Sequence, residues 1–366
     1  MSLSRKFNLA LKSLLGKWLV RSNPVKIDLA QCRRVLVLEL WGLGDVVFAA
    51  PAIKALLAQD PNRSVDLLAQ PSSKPLLELM GLGLTPVFFK FPWTQFDNKY
   101  NPVHYLRPSF WRLIRRLRAN HYDLILSVRE DPRDALLARL IAPRHSLGYA
   151  AFGSHLFLSS SIPAMRSHKT DAWFRLLAFL GITQEAKRAF LELRGEIKGR
   201  LPASASSAGK RIVLHCSARN PVRDWGLPHF VELGRLLERD PAGYEIQWLS
   251  DSNSPATNAV PGHWRKLSGN LAEILAIIAS SGLYIGNDGG MMHMADLFGA
   301  KICAVFGPTD PGTFFPYGQP DSLVFLPEVA CRPCFDYCIY PKPICFNGIT
   351  PADMHRKALE LLHVGS

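Results

Sequence analysis

"LAEILAIIASSGLYIGNDGGMMHMADLFGAKICAVFG", residues 271–307, switches between two hydrophobic periods. Residues 271–281 repeat apolar side chains at helical spacing. Residues 283–286 form a short continuous apolar run, as a strand buried on both faces does. Residues 290–299 return to helical spacing, and 301–307 are again continuously apolar. Helix, strand, helix and strand at these lengths predict a parallel sheet covered on both faces. Between the strand at 283–286 and the next helix stand Asn287, Asp288, Gly289 and Gly290. Packing has no use for a carboxylate there, so this turn is a candidate site.

The same rhythm extends outward. Towards the N-terminus lie strand "YEIQWLS" (244–250), helix "PHFVELGRLLERD" (228–240) and strand "RIVLHC" (211–216). The small-residue stretch "LPASASSAGK", 201–210, reads as a linker. Before it, "VLVLEL" (35–40), "VDLLA" (65–69), "TPVFF" (85–89), "YDLILSV" (122–128) and "HSLGYA" (145–150) read as strands. Helical stretches are predicted at 51–59, with Pro51 near the first turn, and at 74–81, 108–119 and 132–141. The expected organisation has a basic amphipathic segment at 1–27 and a first α/β domain at 28–200. The linker at 201–210 and a second α/β domain at 211–366 follow. Both domains are doubly wound, with 366 residues to fill them. Ligands of such sheets bind outside the carboxyl ends of the strands. Two facing domains are expected to use the cleft between them.

Composition narrows the partners. The net charge is +13, which points to an anionic partner. No apolar stretch reaches the roughly 18 residues that span a bilayer. The N-terminus lacks a signal-peptide pattern, so a cytoplasmic location is expected. Residues 5–21, "RKFNLALKSLLGKWLVR", set an apolar face inside a basic rim. Such a helix can lie peripherally on an anionic membrane surface, or pack on its own domain. Arg112, Arg115, Arg116 and Arg118 share a second basic helix face. No nucleic-acid recognition module is present, and nucleic acid is not expected as a partner.

Polar residues gather at the predicted strand tips. After 35–40 come Gly42, Gly44 and Asp45; after 211–216 come Ser217, Arg219 and Arg223. Asp251 follows 244–250, and Asp288, Gly289 and Gly290 follow 283–286, with His293 one turn into the helix. Glycines at 42 and 44 would permit tight backbone and close ligand approach. The pattern lacks both a dinucleotide fingerprint and a Walker lysine. Asp45 can cap a helix or take a proton from a hydroxyl. Two arginines in a strand-end loop can grip a diphosphate. Glycines at the start of a helix leave its N–H groups open to an anion, while Asp288 suits sugar hydroxyls better than phosphate. Asp288 can also be no more than a cap.

Together, "VLVLELWGLGDVVFAAPAIKAL", "LHCSARNPVRDW" and "LYIGNDGGMMHMADLFGAKICAVFGPTDP" resemble family-nine glycosyltransferases, the lipopolysaccharide heptosyltransferases and their relatives. The likeness runs from about residue 33 to about residue 360. It implies a GT-B fold of two facing Rossmann-like domains. It also implies inverting transfer of heptose from an ADP-activated donor to a lipopolysaccharide core acceptor, with no catalytic metal or other cofactor. On this likeness Asp45 matches the general base. Ser217 to Trp225 match the phosphate-binding loop, with Arg223 where a lysine is usual. Asp288, Gly289 and Gly290 match the donor-binding turn, Gly289 replacing a hydroxyl residue. Trp41 and Gly42 replace a common Ser-Ser pair.

Seven cysteines are present, and Cys331, Cys334, Cys338 and Cys345 form C-x2-C-x3-C-x6-C within 331–345. This set can bind a structural Zn or Fe, or remain free thiols. Family members that modify proteins resemble the arrangement and carry iron, which keeps protein O-heptosyl transfer as an alternative. A nucleotide-sugar epimerase on the same twin-domain fold, and a non-catalytic binding protein, also stay open.

Overall fold

The computed structural model describes residues 22–91, 105–202, 208–218, 220–250, 260–326, 328–334 and 338–363. The basic segment 5–21, the middle of the linker (203–207), Arg219 and Asp251 therefore lie outside the described residues. The chain forms two compact units, Met1–Ala189 and Phe190–Ser366.

The first unit contains β1 (Arg34–Glu39), α1 (Leu43–Leu57), β2 (Ser64–Ala69), α2 (Lys74–Met80), β3 (Thr85–Phe88) and α3 (Pro108–Ala119). It continues with β4 (Leu124–Ser127), α4 (Pro132–Ile141), β5 (His145–Ala150), β6 (Ser160–Pro163) and α5 (Lys169–Phe179). The unit boundary falls inside α6 (Ala186–Lys198), ahead of the expected linker. The six strands lie in the order β3-β2-β1-β4-β5-β6, all neighbours parallel. Val35 to Leu38 of β1 are almost fully buried, as a central parallel strand requires.

Helix α1 starts well before the expected position 51. Gly42 is its extended N-cap, and the Asp45 carboxylate accepts the Gly42 N–H at 3.0 Å. This one-sided cap, from the Asp45 carboxylate to the Gly42 N–H, starts the helix early. Pro51 therefore stands mid-helix, where it removes a donor and disfavours helix by about 3 kcal/mol. Val46 to Ile53 are buried all round, and that burial outweighs the loss. On α3 the apolar residues Phe110, Leu113, Ile114 and Leu117 are buried, while Arg112, Arg115 and Arg116 are exposed.

The second unit contains β7 (Ala208–His215), α7 (Leu227–Glu238), β8 (Glu245–Leu249), β9 (Arg265–Leu267), α8 (Leu271–Ser280) and β10 (Ser281–Asn287). Then come α9 (Gly290–Leu297), β11 (Ile302–Phe306), α10 (Pro311–Phe314), β12 (Leu323–Phe325) and α11 (Pro351–His363). Its order is β12-β11-β10-β7-β8-β9, again parallel throughout. Strand β10 runs straight on from α8 and approaches β7 closely. A Cβ at Gly282 would sit 2.0 Å from the Gly209 carbonyl oxygen, so only glycine fits.

The strands absent from the sequence reading, β6, β9 and β12, are all short edge strands. Edge strands need no continuous apolar run, which is why "SSIP", "RKL" and "LVF" gave so little signal. In each sheet the strand order reverses once, between β1 and β4 and between β7 and β10. Those two reversals are where ligands of such sheets collect.

Candidate active site

The first reversal places Asp45 and Arg129 together. Asp45 lies in the first turn of α1, after β1, and Arg129 lies just past β4. Arg129 Nη1 is 3.3 Å from Asp45 Oδ1, with both side chains about one-fifth exposed (21% and 19%). The Arg129 guanidinium stacks over the Trp41 ring at 4.3 Å. The Trp41 indole N–H donates to Asp134 Oδ2 at 3.4 Å. Burial works to lower the Arg129 pKa, but Asp45, Asp134, Glu39 and Asp131 outweigh it and hold the guanidinium above its ordinary value. Behind the pair, Glu39 ends β1 and is only 2% exposed. Burial, then the nearby Asp45, pushes its carboxyl well above the ordinary value of 4.5. Burial also lowers the Lys169 ammonium, and Arg129 adds to that.

Gly42 has φ −132°, and Gly44 lies inside α1, so neither needs a left-handed conformation. Gly42 matters for space instead, because a Cβ there would crowd Asp45 Oδ2 at 3.2 Å.

The second reversal assembles around Asn287 and Asp288. Asn287 Nδ2 donates to the Cys216 carbonyl at 2.9 Å and to Asp224 Oδ1 at 3.1 Å. Its Oδ1 accepts the Trp225 N–H at 3.0 Å. One buried amide thus ties the loop after β7 to the tip of β10. Within that loop, Asn220 caps the short turn Pro221–Arg223 by accepting the Val222 N–H at 3.1 Å. Arg223 is thereby presented to Asp288, with Nη1 at 3.3 Å from Oδ2. Asp288 is 3% exposed, and its Oδ2 also accepts the Thr309 hydroxyl at 2.6 Å. His293 turns towards it as well, Nε2 lying 3.8 Å from Oδ1. Gly289 caps α9 in extended conformation, φ −177°, without a side-chain bond. The carboxylate therefore stands as a buried counter-ion for Arg223, beside an open helix start.

Several of these residues were legible and several were not. Asp45, Arg223, Asp288 and His293 fall at the strand ends that the apolar runs indicate, and Ser217 is half-buried at the tip of β7. Arg129 was missed, although the same strand-end rule applied to 122–128 finds it. Glu39 was missed because it sits inside an apolar run. Thr309 was missed because its partner, Asp288, is distant in sequence.

The cysteine segment behaves differently from the metal expectation. Cys331, Cys334 and Cys338 are half-buried and outside any disulfide, and Cys345 is buried. Burial pushes the Cys345 thiol up to about 11. Arg332 lies within electrostatic reach of Cys345, Cys331 and Cys334, and a guanidinium there competes with any metal cation. Among the described residues no group of three or more His, Cys, Asp or Glu could hold a metal ion. As placed, the thiols do not fit the expected Zn or Fe. Among the described residues, too, no helix is long and apolar enough to cross a membrane.

A family model for glycosyltransferase family 9 (heptosyltransferase) matches residues 110–343. Lipopolysaccharide heptosyltransferase 3 of Escherichia coli is 23% identical over 293 residues, which is 73% of this chain and 81% of that protein. Among solved structures, the E. coli heptosyltransferase WaaC with ADP-2-deoxy-2-fluoro heptose matches with a TM-score of 0.66 at 18% identity, over 89% of this chain and 99% of that one. A family 9 glycosyl transferase from Veillonella parvula matches with a TM-score of 0.67 at 18% identity, over 93% and 99%. Tandem parallel α/β units with these neighbours make the fold GT-B.

Proposed function

The chain belongs to glycosyltransferase family 9, and we propose that it moves heptose from an ADP-activated donor to a lipopolysaccharide core acceptor, with inversion. The observation that carries this reading is the pair of carboxylates at the two sheet reversals, Asp45 after β1 and Asp288 after β10, each beside an arginine. In the proposed reaction an acceptor hydroxyl attacks the anomeric carbon opposite the diphosphate. The acceptor proton passes to Asp45, the bond to the diphosphate oxygen breaks, and the nucleotide diphosphate leaves.

The donor would be held by Ser217, Arg223, Asp288, His293 and the Gly289–Gly290 start of α9. Arg219 and Asp251, outside the described residues, would join them. Arg223 and the N–H groups of α9 would stabilise the departing charge. Gly42 and Gly44 would line the acceptor approach. The exposed arginines of α3 and the basic segment 5–21 suit a phosphorylated acceptor held at the inner leaflet, with the enzyme cytoplasmic and peripheral.

The test incubates purified protein with ADP-heptose and core oligosaccharide from a strain lacking this gene, followed by mass spectrometry. A gain of one heptose is expected. Altered donor without acceptor would show an epimerase, and no turnover of any donor would show a binding protein. Asp45→Asn is expected to keep donor affinity and melting temperature and to lose about 100-fold or more in turnover. Near-normal turnover would leave Asp45 as a cap alone.

A further inference from the structure

Two features that the proposed reaction does not use meet at the donor turn: the loop after β11, residues 307–310, and the start of the cysteine-rich segment, residues 331–334. Strands β10 and β11 are hydrogen-bonded neighbours with Asn287 in register with Val305, so Asp288 and this loop issue from adjacent strand tips. From the loop, Thr309 is 7% exposed, and its hydroxyl donates to Asp288 Oδ2 at 2.6 Å. That is the short length of a charge-assisted O–H···O⁻ bond. Oδ2 thus carries both Thr309 and Arg223, while Oδ1 is turned to His293 at 3.8 Å. The loop is gripped from behind. Arg332 donates from Nε to the Gly307 carbonyl at 2.9 Å and from Nη1 to the Leu326 carbonyl at 2.6 Å. The Cys334 N–H donates to the Pro308 carbonyl at 3.4 Å. A Cβ at Gly307 would lie 2.3 Å from the buried Phe346 ring, so a larger residue would push the loop off that ring. Asp310 closes the loop by accepting the Gly312 N–H at 3.2 Å and the Thr313 hydroxyl at 2.6 Å. The Thr309 backbone is therefore held on both sides.

We propose that Thr309 is a positioning residue of the donor site, which sets the Asp288 carboxylate in the orientation that receives a donor sugar hydroxyl, and that Arg332 braces it. The inference rests on the reading of Asp288 as the carboxylate that takes sugar hydroxyls. The Arg223 contact, at 3.3 Å, is long for a charge-assisted bond. It does not by itself fix the rotation of the carboxylate about Cβ–Cγ, a torsion with broad, two-fold preferences. A short hydroxyl bond from a held backbone does fix it. A sugar then meets a carboxylate already oriented, and less ordering opposes its binding. ADP has no sugar hydroxyl for this carboxylate in the proposed site, so Thr309 should matter for the intact nucleotide sugar and little for ADP. The cysteine-rich segment thereby acts on the donor site through an arginine and a backbone N–H.

The experiment compares wild type, Thr309→Val, Thr309→Ser, Arg332→Gln and Asp288→Asn by calorimetry with ADP and with ADP-heptose, and by kinetics with the same core oligosaccharide. Valine keeps the shape of Thr309 and removes the hydroxyl, whereas serine keeps the hydroxyl and removes the methyl. Thr309→Val is expected to weaken ADP-heptose about tenfold, the scale of one hydrogen bond to a charged group, and ADP by less than about twofold. Thr309→Ser should weaken ADP-heptose by less than about threefold, since the hydroxyl remains. The KM for the donor should rise in Thr309→Val, and the KM for the acceptor should not. A threonine that only packs would give the reverse order, tolerating valine and suffering with serine, and that order overturns the inference. Equal loss of ADP and ADP-heptose in Thr309→Val overturns it too. So does wild-type affinity for ADP-heptose in Thr309→Val while Asp288→Asn loses it, a result that keeps Asp288 as a donor residue. Wild-type affinity for ADP-heptose in Asp288→Asn would instead remove the premise, and the inference with it. Arg332→Gln should act in the direction of Thr309→Val, and the double variant should lose less than the product of the two losses, because both act through one carboxylate. Losses that multiply in full would overturn the role of Arg332. Should Thr309→Val fail to fold, Thr309→Ala carries the same expectation and the same refutation.

Discussion

Removing Arg223 should cost more than removing the charge of its partner, although both break the same ion pair. Asp288 is 3% exposed in its side chain, whereas Arg223 is 29% exposed. In Asp288→Asn the arginine can turn to water, and Thr309 can still bond the amide oxygen. The loss is then that of one charge-assisted bond, about 1–2 kcal/mol after allowance for the exposed partner. In Arg223→Ala a buried carboxylate keeps the Thr309 hydroxyl at 2.6 Å and His293 at 3.8 Å but loses its guanidinium. Leaving a buried charge so poorly compensated costs about 3 kcal/mol, the lower end for such pairs. In a unit of this size that is a fall of roughly 6–12 °C in melting temperature. The double variant Arg223→Ala/Asp288→Asn should recover most of the loss, because the orphaned charge is gone. Calorimetry supplies the functional half. Arg223→Ala should weaken ADP about 10- to 150-fold, the worth of a charge-assisted bond. Asp288→Asn should bind ADP as well as wild type, or slightly better, while losing affinity for the intact nucleotide sugar. The reasoning is refuted if Arg223→Ala melts like wild type, or if Asp288→Asn loses ADP and nucleotide sugar equally.

Glu39→Gln should gain stability relative to wild type as the pH rises above the ordinary carboxylate value of 4.5. Its carboxyl is raised in the fold, so its contribution is full below the ordinary value of 4.5 and is lost as pH climbs through the folded value. Melting curves at several pH values that run parallel for the two proteins would contradict this. Gly234→Ala should lower the melting temperature, since the added Cβ would lie 2.2 Å from the buried Trp264 ring. Overpacking of about 1–3 kcal/mol exceeds the roughly 1 kcal/mol gained in helix propensity, and an unchanged or higher melting temperature would be the contrary result. Timed thiol labelling with mass spectrometry should modify Cys331, Cys334 and Cys338 promptly, and Cys32, Cys216, Cys303 and Cys345 only on unfolding. Joint protection of the first three, lifted by a chelator, would show a metal bound there.

How much of this was legible follows from where each signal lies. Central strands of a parallel sheet are buried on both faces, so β1, β4, β7, β10 and β11 are written as apolar runs, and the doubly wound plan follows from them. Strand tips are equally legible, because Asp45, Arg223 and Asp288 interrupt or follow such runs. Contacts between tips are not. That Thr309 rather than a sugar occupies Asp288 Oδ2, and that Arg129 rather than water meets Asp45, depends on which strands become neighbours. Pro51 misled for a related reason. Its position favours a first turn locally, but the cap formed by Gly42 and Asp45 starts the helix earlier. Gly42, Gly44 and Gly289 point to a third limit. A glycine in sequence suggests a left-handed backbone, and in none of these is that freedom used.

The two units share a strand order, yet their reversal points carry opposite designs. In the first, Asp45, Asp131 and Asp134 stand among three cations, Arg129, Arg133 and Lys169, while burial favours the protonated form of Glu39. A carboxylate about one-fifth exposed at the tip of β1 suits a group that must accept a proton. In the second, Asp288 is offset by Arg223, and α9 opens beside it with an N-cap that supplies no side chain. Asp288 being already paired, the positive end of the helix remains for an anion. Asp288 therefore does not repel a diphosphate as an isolated carboxylate would, and the arginine it orients is the group proposed to meet one. Topology alone makes both reversals ligand sites. In the proposed reaction the first would take a proton and the second would hold a leaving group.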